Sequence, residues 1–349
     1  MGGDVKASSG GSEGAQRLSL GQLEAWESWG YGMFIHFGMS TFLDEELPDG
    51  RSPASVYAPD RLDVDQWVQV ARDAGMSYAV LTAKHVAGHC LWPSSQTDYH
   101  VGRSGETTDV VGAFVAACEK HGIRPGLYYC SWDNHHRLGS RTPSRALPDS
   151  HAYTTRAYRD FQLAQVHELL TRYGKIAEVW IDIPGVLGFD GRIEQYEQIA
   201  ALQPEAVIML NTGFGDGSDL KLDYAWPSDL VAIERWLPPS NGGHLRWREI
   251  GLTKQKRYRG VSDYVDEPDP PQRFYVPGEV CDPIGQHWFW SPGDPLRSDQ
   301  ELLGMRLISR SRHTNLLLNV PPDRSGRIPS ESVEALMRLK RGAGLAGVG

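Results

Sequence analysis

Short apolar runs punctuate this chain. They are Gly32–Phe37, Ser77–Thr82, Arg124–Cys130, Ala177–Ile183 and Ala206–Asn211, followed later by Phe274–Val280 and Asn315–Val320. Within each run the apolar residues are continuous rather than alternating with polar ones. Strands covered on both faces need that pattern, because neither face meets water, and parallel strands under helices are such strands. Between the runs the apolar positions recur at helical spacing. Val64–Ala74, Asp109–His121, Thr155–Tyr173 and Arg192–Leu202 precede the second to fifth strands, and Gly75, Gly122 and Gly174 close the first three. Glycine just past a last helical turn adopts the left-handed backbone that stops a helix. Strand and helix in alternation predict a parallel sheet, and this many units predict its closure into a (β/α)8 barrel of the TIM type.

The rhythm breaks between Gly213 and Gln272, a stretch rich in Pro, Gly, Asp and Trp. Long loops are expected there, and long loops in a compact domain are usually functional or disordered. The last helix is expected over Ser330–Arg341, before a Gly-rich end. The first residues, Met1-Gly-Gly-Asp-Val-Lys-Ala-Ser-Ser-Gly, read as a flexible tail. The expected organisation is therefore a tail over 1–17, a single catalytic barrel over 18–341 with long loops around 213–272, and a second tail over 342–349.

Bulk properties narrow the function classes. The chain has 349 residues, and an eight-unit barrel takes about 250, so little is left for a second domain. Its net charge is −9, and an acidic surface gains nothing from counterion release at phosphates, which argues against nucleic acid. No apolar run approaches the ~18 residues of a membrane span. The N-terminus has no apolar secretory core, so the expected location is the cytoplasm. The cysteines Cys90, Cys118, Cys130 and Cys281 form no CxxC pair, the first three sit in apolar surroundings that suit buried free thiols, and neither a metal nor a cofactor is expected. Eleven Trp and fourteen Tyr suit the apolar faces of sugar rings, though large proteins also bury aromatics for packing alone.

Barrel enzymes carry their chemistry at the C-terminal ends of the strands. Polar groups collect just there: His36 after the first run, Lys84-His85 after the second, Ser131 to His136 after the third, Asp182 at the end of the fourth, Glu279 near the seventh and Asn319 at the eighth. Asp182, after Glu178-Val-Trp-Ile, is the sharpest. A strand-end Asp often caps the next helix, but Pro184-Gly185 follow and no helix starts at once. Two carboxyl groups facing each other are what glycoside hydrolysis needs. Glu279 is the expected partner of Asp182, with Glu234 in Ile233-Glu234-Arg235-Trp236 as the rival. Asp133 and Asp282 are lesser candidates. Asp44, Glu45 and Glu46 read as a solvated loop. His85 and His89 stand four apart, a spacing that chelates metal on a helix, but the glycine between them favours a loop.

These motifs resemble the α-L-fucosidases of glycoside hydrolase family 29. Trp29-Gly-Tyr-Gly-Met-Phe-Ile-His36-Phe-Gly38 is similar to the family's first-strand signature. Tyr78 to His85 with Leu91-Trp92-Pro93-Ser94 is similar to its "VLTxKHHDGFxLWPS" block, and Thr108-Asp109-Val110-Val111 with Gly126-Leu-Tyr-Tyr129 to its "RDLVGE…GLYYS" block. Val179-Trp-Ile-Asp182 is similar to "xxWFDG", and Asn315-Leu-Leu-Leu-Asn319-Val with Gly326-Arg-Ile-Pro329 to "GNLLLNVxPxxxGxIP". The likeness runs over roughly Leu18 to Leu339. It implies Asp182 as nucleophile of a retaining glycosidase and Glu279 as acid/base. It implies a sugar site lined by His36, His85, Trp92, Tyr129 and Trp288, and a carbohydrate or glycoconjugate substrate.

Departures from the pattern bear on the sugar. Val86 and Ala87 stand where the family has His and Asp, and His89 where it has Phe. Ser55-Val56-Tyr57 replace a Glu-Trp-Tyr element, and Ile183 replaces the glycine after the nucleophile. The arginine expected near Asn211-Thr212-Gly213 is not evident there, and the C-terminal β-sandwich of many members is not expected. A non-catalytic carbohydrate-binding barrel is one alternative. A metal-dependent hydrolase using His36, His85, His89 and His136 is another.

Overall fold

A computed structural model describes residues 16–136, 153–211, 227–238, 247–250 and 272–345. Most of the expected long-loop region, 213–272, lies outside the described residues. Eight strands form a parallel ring: β1 Tyr31–Ile35, β2 Tyr78–Lys84, β3 Arg124–Cys130, β4 Glu178–Asp182, β5 Val207–Asn211, β6 Val231–Glu234, β7 Gly278–Pro283 and β8 Thr314–Asn319. Their order is β5-β4-β3-β2-β1-β8-β7-β6, with every neighbouring pair parallel. This is the expected (β/α)8 barrel, nearly closed.

The last seam, between β5 and β6, is joined by residues just before β6 rather than by a strand ladder. The Asp229 amide donates to the Ile208 carbonyl at 2.8 Å. The Asp229 carboxylate accepts from the Ile208 amide at 2.9 Å, and Ser228 Oγ from the Leu210 amide at 3.0 Å. Arg17, at the end of the expected N-terminal tail, reaches this seam and pairs with Asp229.

The helices are α1 Leu20–Glu27, α2 Met39–Leu43, α3 Val64–Asp73, α4 Val110–His121, α5 Arg156–Arg172, α6 Gly188–Leu202, α7 Asp299–Ser311 and α8 Ser330–Leu345. Their starts are written in the sequence. Ser19 and Ser298 make capping boxes with Gln22 and Glu301, and Asp63, Asp109 and Thr155 accept an amide of the first turn. Each such cap contributes about 1 kcal/mol. Among the described residues no helix lies between β5 and β7, and none is long and apolar enough to cross a membrane.

Two apolar layers follow from the period of two along each strand. Phe34, Val80, Tyr128, Trp180, Met209 and Leu317 fill the barrel, while Met33, Leu81, Tyr129, Val179, Leu210 and Leu318 pack outward with the helices. All four cysteines are buried and free.

One strand differs from expectation. The pattern predicts a single strand over Phe274–Val280. Instead Gln272–Tyr275 pairs antiparallel with Trp247–Ile250 in a separate two-stranded sheet, and β7 begins at Gly278. Pro277 divides them, since a proline has no N–H to give a ladder. Its carbonyl still accepts the Val231 amide at 3.0 Å.

Candidate active site

Strand parity decides which side chains reach the mouth of the barrel. On β4, Glu178, Trp180 and Asp182 share the inner face, with Asp182 at the top. Asp182 pairs laterally with Cys130 and Asn211. Two strands along the ring, past β5, Glu234 at the top of β6 pairs with Cys281 of β7. A pocket of about 140 Å³ opens at this level, lined by both Asp182 and Glu234. His36, His85 and Trp288 line it too, so five of the expected site residues come together.

Three do not. Glu279 is fully buried and stands opposite Ala232 and Asn315, one inward position below Cys281. It was expected at a strand end because the strand was placed over Phe274–Val280. With β7 running from Gly278 to Pro283, Glu279 lies at the strand's start, toward the barrel floor. Its oxygens accept from Tyr78 Oη at 2.6 Å and Trp180 Nε1 at 3.0 Å. Burial pushes its carboxyl up, as it does that of its neighbour Glu178. Two buried carboxyl groups this close cannot both ionise at ordinary cost. Tyr129 points outward, its hydroxyl donating to Gln165 Oε1 at 2.8 Å. Its neighbour Tyr128 faces the pocket instead. Trp92 is also fully buried away from the pocket, its indole donating to Glu168 Oε2 at 2.9 Å.

Asp182 is held by three donors. Tyr128 Oη donates to Oδ2 at 2.7 Å, while Asn211 Nδ2 and the Ile183 amide donate to Oδ1, each at 3.0 Å. Burial raises its carboxyl to about 6, against the downward pull of these bonds. Burial also raises Glu234, to about 7, and the Asp182 charge adds to this. Both carboxyl groups are thus pushed up by burial, and Glu234 further by the charge on Asp182. Behind each, the next residue is left-handed: Ile183 at φ 49° and Arg235 at φ 60°. That backbone costs a non-glycine residue about 1–2 kcal/mol. It turns the chain sharply after the strand. Contrary to the sequence expectation, a 3-10 helix, Pro184–Leu187, follows Ile183 at once and leads into α6, yet Asp182 accepts only the Ile183 amide of that turn and its carboxyl stays at the rim.

The aromatic floor is continuous. Trp180 stacks on Tyr128 with centroids 5.6 Å apart, and Phe34 packs on both at 5.4 and 5.8 Å. Trp288 lies 5.1 Å from the His36 ring, and Arg235 sits over its indole at 5.1 Å. Burial holds His36 well below the usual imidazole range, with neighbouring His85 adding to this, and burial brings His85 down to about 3. Both rings are therefore neutral. Val86, Leu47 and Ile183 give the pocket an apolar wall.

The remaining candidates have structural partners. Lys84 and Asp133 form a fully buried ion pair at 2.7 Å. Asp133 also accepts from the His135 and His136 amides and binds His136 Nδ1. Burial alone would raise the Asp133 carboxyl, but Lys84 and His136 together outweigh it and hold it well below the usual range. Asp282 pairs with Arg297 at 2.7 Å. His89 bonds Ser104 at 2.8 Å. Among the described residues no three His, Cys, Asp or Glu converge as a metal site requires.

The pocket also contains residues that the sequence reading passed over. Tyr128 was missed by one position, which reverses the face of a strand. Glu46, in the acidic stretch read as a solvated loop, lines the pocket. Asn211, where the family pattern leads one to expect an arginine nearby, instead holds Asp182 through its Nδ2.

A model of the family described as alpha-L-fucosidase matches residues 51–341. Alpha-L-fucosidase 1 of Arabidopsis thaliana is 34% identical over 329 residues, covering 91% of this chain and 59% of its own length. Among solved structures, alpha-L-fucosidase isoenzyme 1 from Paenibacillus thiaminolyticus superimposes with a TM-score of 0.71 at 25% identity, covering 93% of this chain and 76% of that one. A glycoside hydrolase 29 family member from an unknown rumen bacterium gives 0.69 at 28% identity, covering 95% and 57%. The chain spans less than two-thirds of the length of the plant relatives it matches.

Proposed function

Because the chain belongs to the alpha-L-fucosidase family, we propose that it hydrolyses a terminal α-L-fucoside, or a closely related α-L-sugar, with retention of configuration, using Asp182 as nucleophile and Glu234 as acid/base. The observation that carries this reading is the shared pocket of Asp182 and Glu234. Glu279, the acid/base that the sequence favoured, lies below that pocket with both oxygens engaged. An acid must reach the leaving oxygen before its pKa matters.

The retaining course takes two displacements. Asp182, ionised, attacks the anomeric carbon as the bond to the aglycone oxygen breaks, and Glu234 delivers its proton to that oxygen. Oδ1 of Asp182 already accepts two donors and Oδ2 one, so Oδ2 has the more available lone pair. Glu234, now a carboxylate, takes a proton from water. The hydroxide forms the new bond at the anomeric carbon and frees Asp182. Glu234 at about 7 is still protonated when Asp182 at about 6 has ionised, the division of labour that two unequal carboxyl environments supply. L-Fucose is a 6-deoxy sugar and presents a methyl group, which suits the apolar wall of Phe34, Val86 and Ile183. Its ring face suits Trp180 and Trp288.

The test uses 4-nitrophenyl α-L-fucoside. Asp182→Ala should lose several orders of magnitude in turnover. Glu234→Ala should be rescued by azide, giving the glycosyl azide of retained configuration. Near wild-type turnover in Asp182→Ala overturns the nucleophile, and azide rescue in Glu279→Ala but not in Glu234→Ala overturns the acid/base.

A further inference from the structure

The eighth strand ends on Asn319, whose side chain is fully buried and contacts two pocket elements at once. Its Nδ2 donates to the Trp288 carbonyl at 2.7 Å, and its Oδ1 lies 2.8 Å from Nδ1 of His36. The direction of this chain of bonds is forced by chemistry. A backbone carbonyl can only accept, so the amide nitrogen of Asn319 must face Trp288. Its carbonyl oxygen then faces His36, and a carbonyl oxygen only accepts. Nδ1 of His36 must therefore carry the proton.

The ring is neutral, because burial and the adjacent His85 disfavour its charge. A neutral imidazole with its proton on Nδ1 has a bare lone pair on Nε2. No group among the described residues bonds that nitrogen. Trp288 and Phe289 pack on the ring with centroids at 5.1 and 5.2 Å, the second edge-on.

We infer that Asn319 is a positioning residue that fixes His36 as a hydrogen-bond acceptor in the sugar pocket, so that the pocket selects a hydroxyl group able to donate at the position His36 reads. This rests on the sugar-binding reading of the pocket. A hydroxyl satisfies the lone pair. A fluorine or a deoxy position at the same carbon does not, and fluorine sets two lone pairs against each other. Loss of such a bond costs about tenfold in affinity.

The test reads the ring directly. Long-range proton–nitrogen NMR correlation on the full 15N-labelled chain, with His36 assigned by its loss in His36→Gln, reports which ring nitrogen is protonated. Wild type at neutral pH should show Nδ1 protonated and Nε2 bare. An Nε2-protonated ring, or an imidazolium, overturns the inference without any reference to catalysis. Asn319→Leu should release the ring to a mixture of tautomers or to Nε2–H, and an unchanged ring overturns the role of Asn319. Asn319→Asp keeps an acceptor at Nδ1 and should keep the wild-type tautomer. A panel of 4-nitrophenyl α-L-fucosides, each with one hydroxyl replaced by fluorine, separates the two readings. In wild type one position should lose about tenfold in binding, and that loss should shrink in Asn319→Leu. An equal loss in both proteins overturns the selection argument, whereas failure to hydrolyse any of them leaves the tautomer result standing and falls on the enzymatic reading alone.

Discussion

Replacing Asp182 by asparagine should make the protein more stable above pH 7 while abolishing its chemistry. The carboxyl titrates at about 6 in the folded chain against an ordinary 3.8. A raised value means that the folded state holds the proton more tightly than the unfolded one. The group therefore costs nothing below about pH 4, where both states are protonated, and its penalty grows as pH rises through about 6. Above that the penalty is complete, and a shift of roughly two units corresponds to about 3 kcal/mol. The amide of Asp182→Asn has nearly the same shape. Its oxygen can accept from Asn211 and Ile183, and its nitrogen can donate to the Tyr128 oxygen once that hydroxyl turns. Urea unfolding of both proteins at pH 4 and pH 8 isolates the charge. The variant should gain up to about 3 kcal/mol at pH 8 relative to its difference at pH 4. The same stability difference at both pH values would refute the claim that burial strains the Asp182 carboxylate.

Activity should follow a narrow bell in pH, with an acid limb from Asp182 near 6 and an alkaline limb from Glu234 near 7. Tyr128→Phe removes a donor to the Asp182 carboxylate, so the acid limb should move upward and kcat/KM fall about tenfold, measured from initial rates across pH. Glu279→Gln keeps a neutral polar group at the barrel floor, so hydrolysis should stay within about tenfold of wild type, whereas loss of several orders of magnitude would return the acid/base role to Glu279. Lys84→Met leaves Asp133 buried without its cation, and chemical denaturation should show a loss of about 3–5 kcal/mol.

The barrel was legible because its strands are apolar on both faces and its helices carry their own start signals at Asp63, Asp109, Thr155 and similar sites. β6 was not, since Val231–Glu234 is four residues long within a Pro- and Trp-rich region with no periodicity to read. The site was legible where a side chain ends a strand whose end was placed well, as at His36 and Asp182. It failed where a single position decides the outcome. Tyr128 and Tyr129 are chemically identical in the sequence, and only the pleat sends one to Asp182 and the other to Gln165. Glu279 failed through a strand boundary: Pro277 starts β7 late and drops the glutamate toward the floor. Trp92 follows a strand, yet the chain between His85 and His100 folds back, the Leu91 amide reaching the Ala83 carbonyl at 2.9 Å, and turns the indole to the helix layer. Glu46 reaches the pocket from a loop, where nothing in the local pattern indicates direction.

The central claim is a double displacement by Asp182 and Glu234 at an α-L-fucoside, and the anomer first released tests it most directly. Proton NMR during hydrolysis of 4-nitrophenyl α-L-fucoside, recorded before mutarotation sets in, should show α-L-fucose first with the β anomer growing only later. Initial release of β-L-fucose would contradict the account, since a single displacement by water inverts the centre and leaves Asp182 no covalent role.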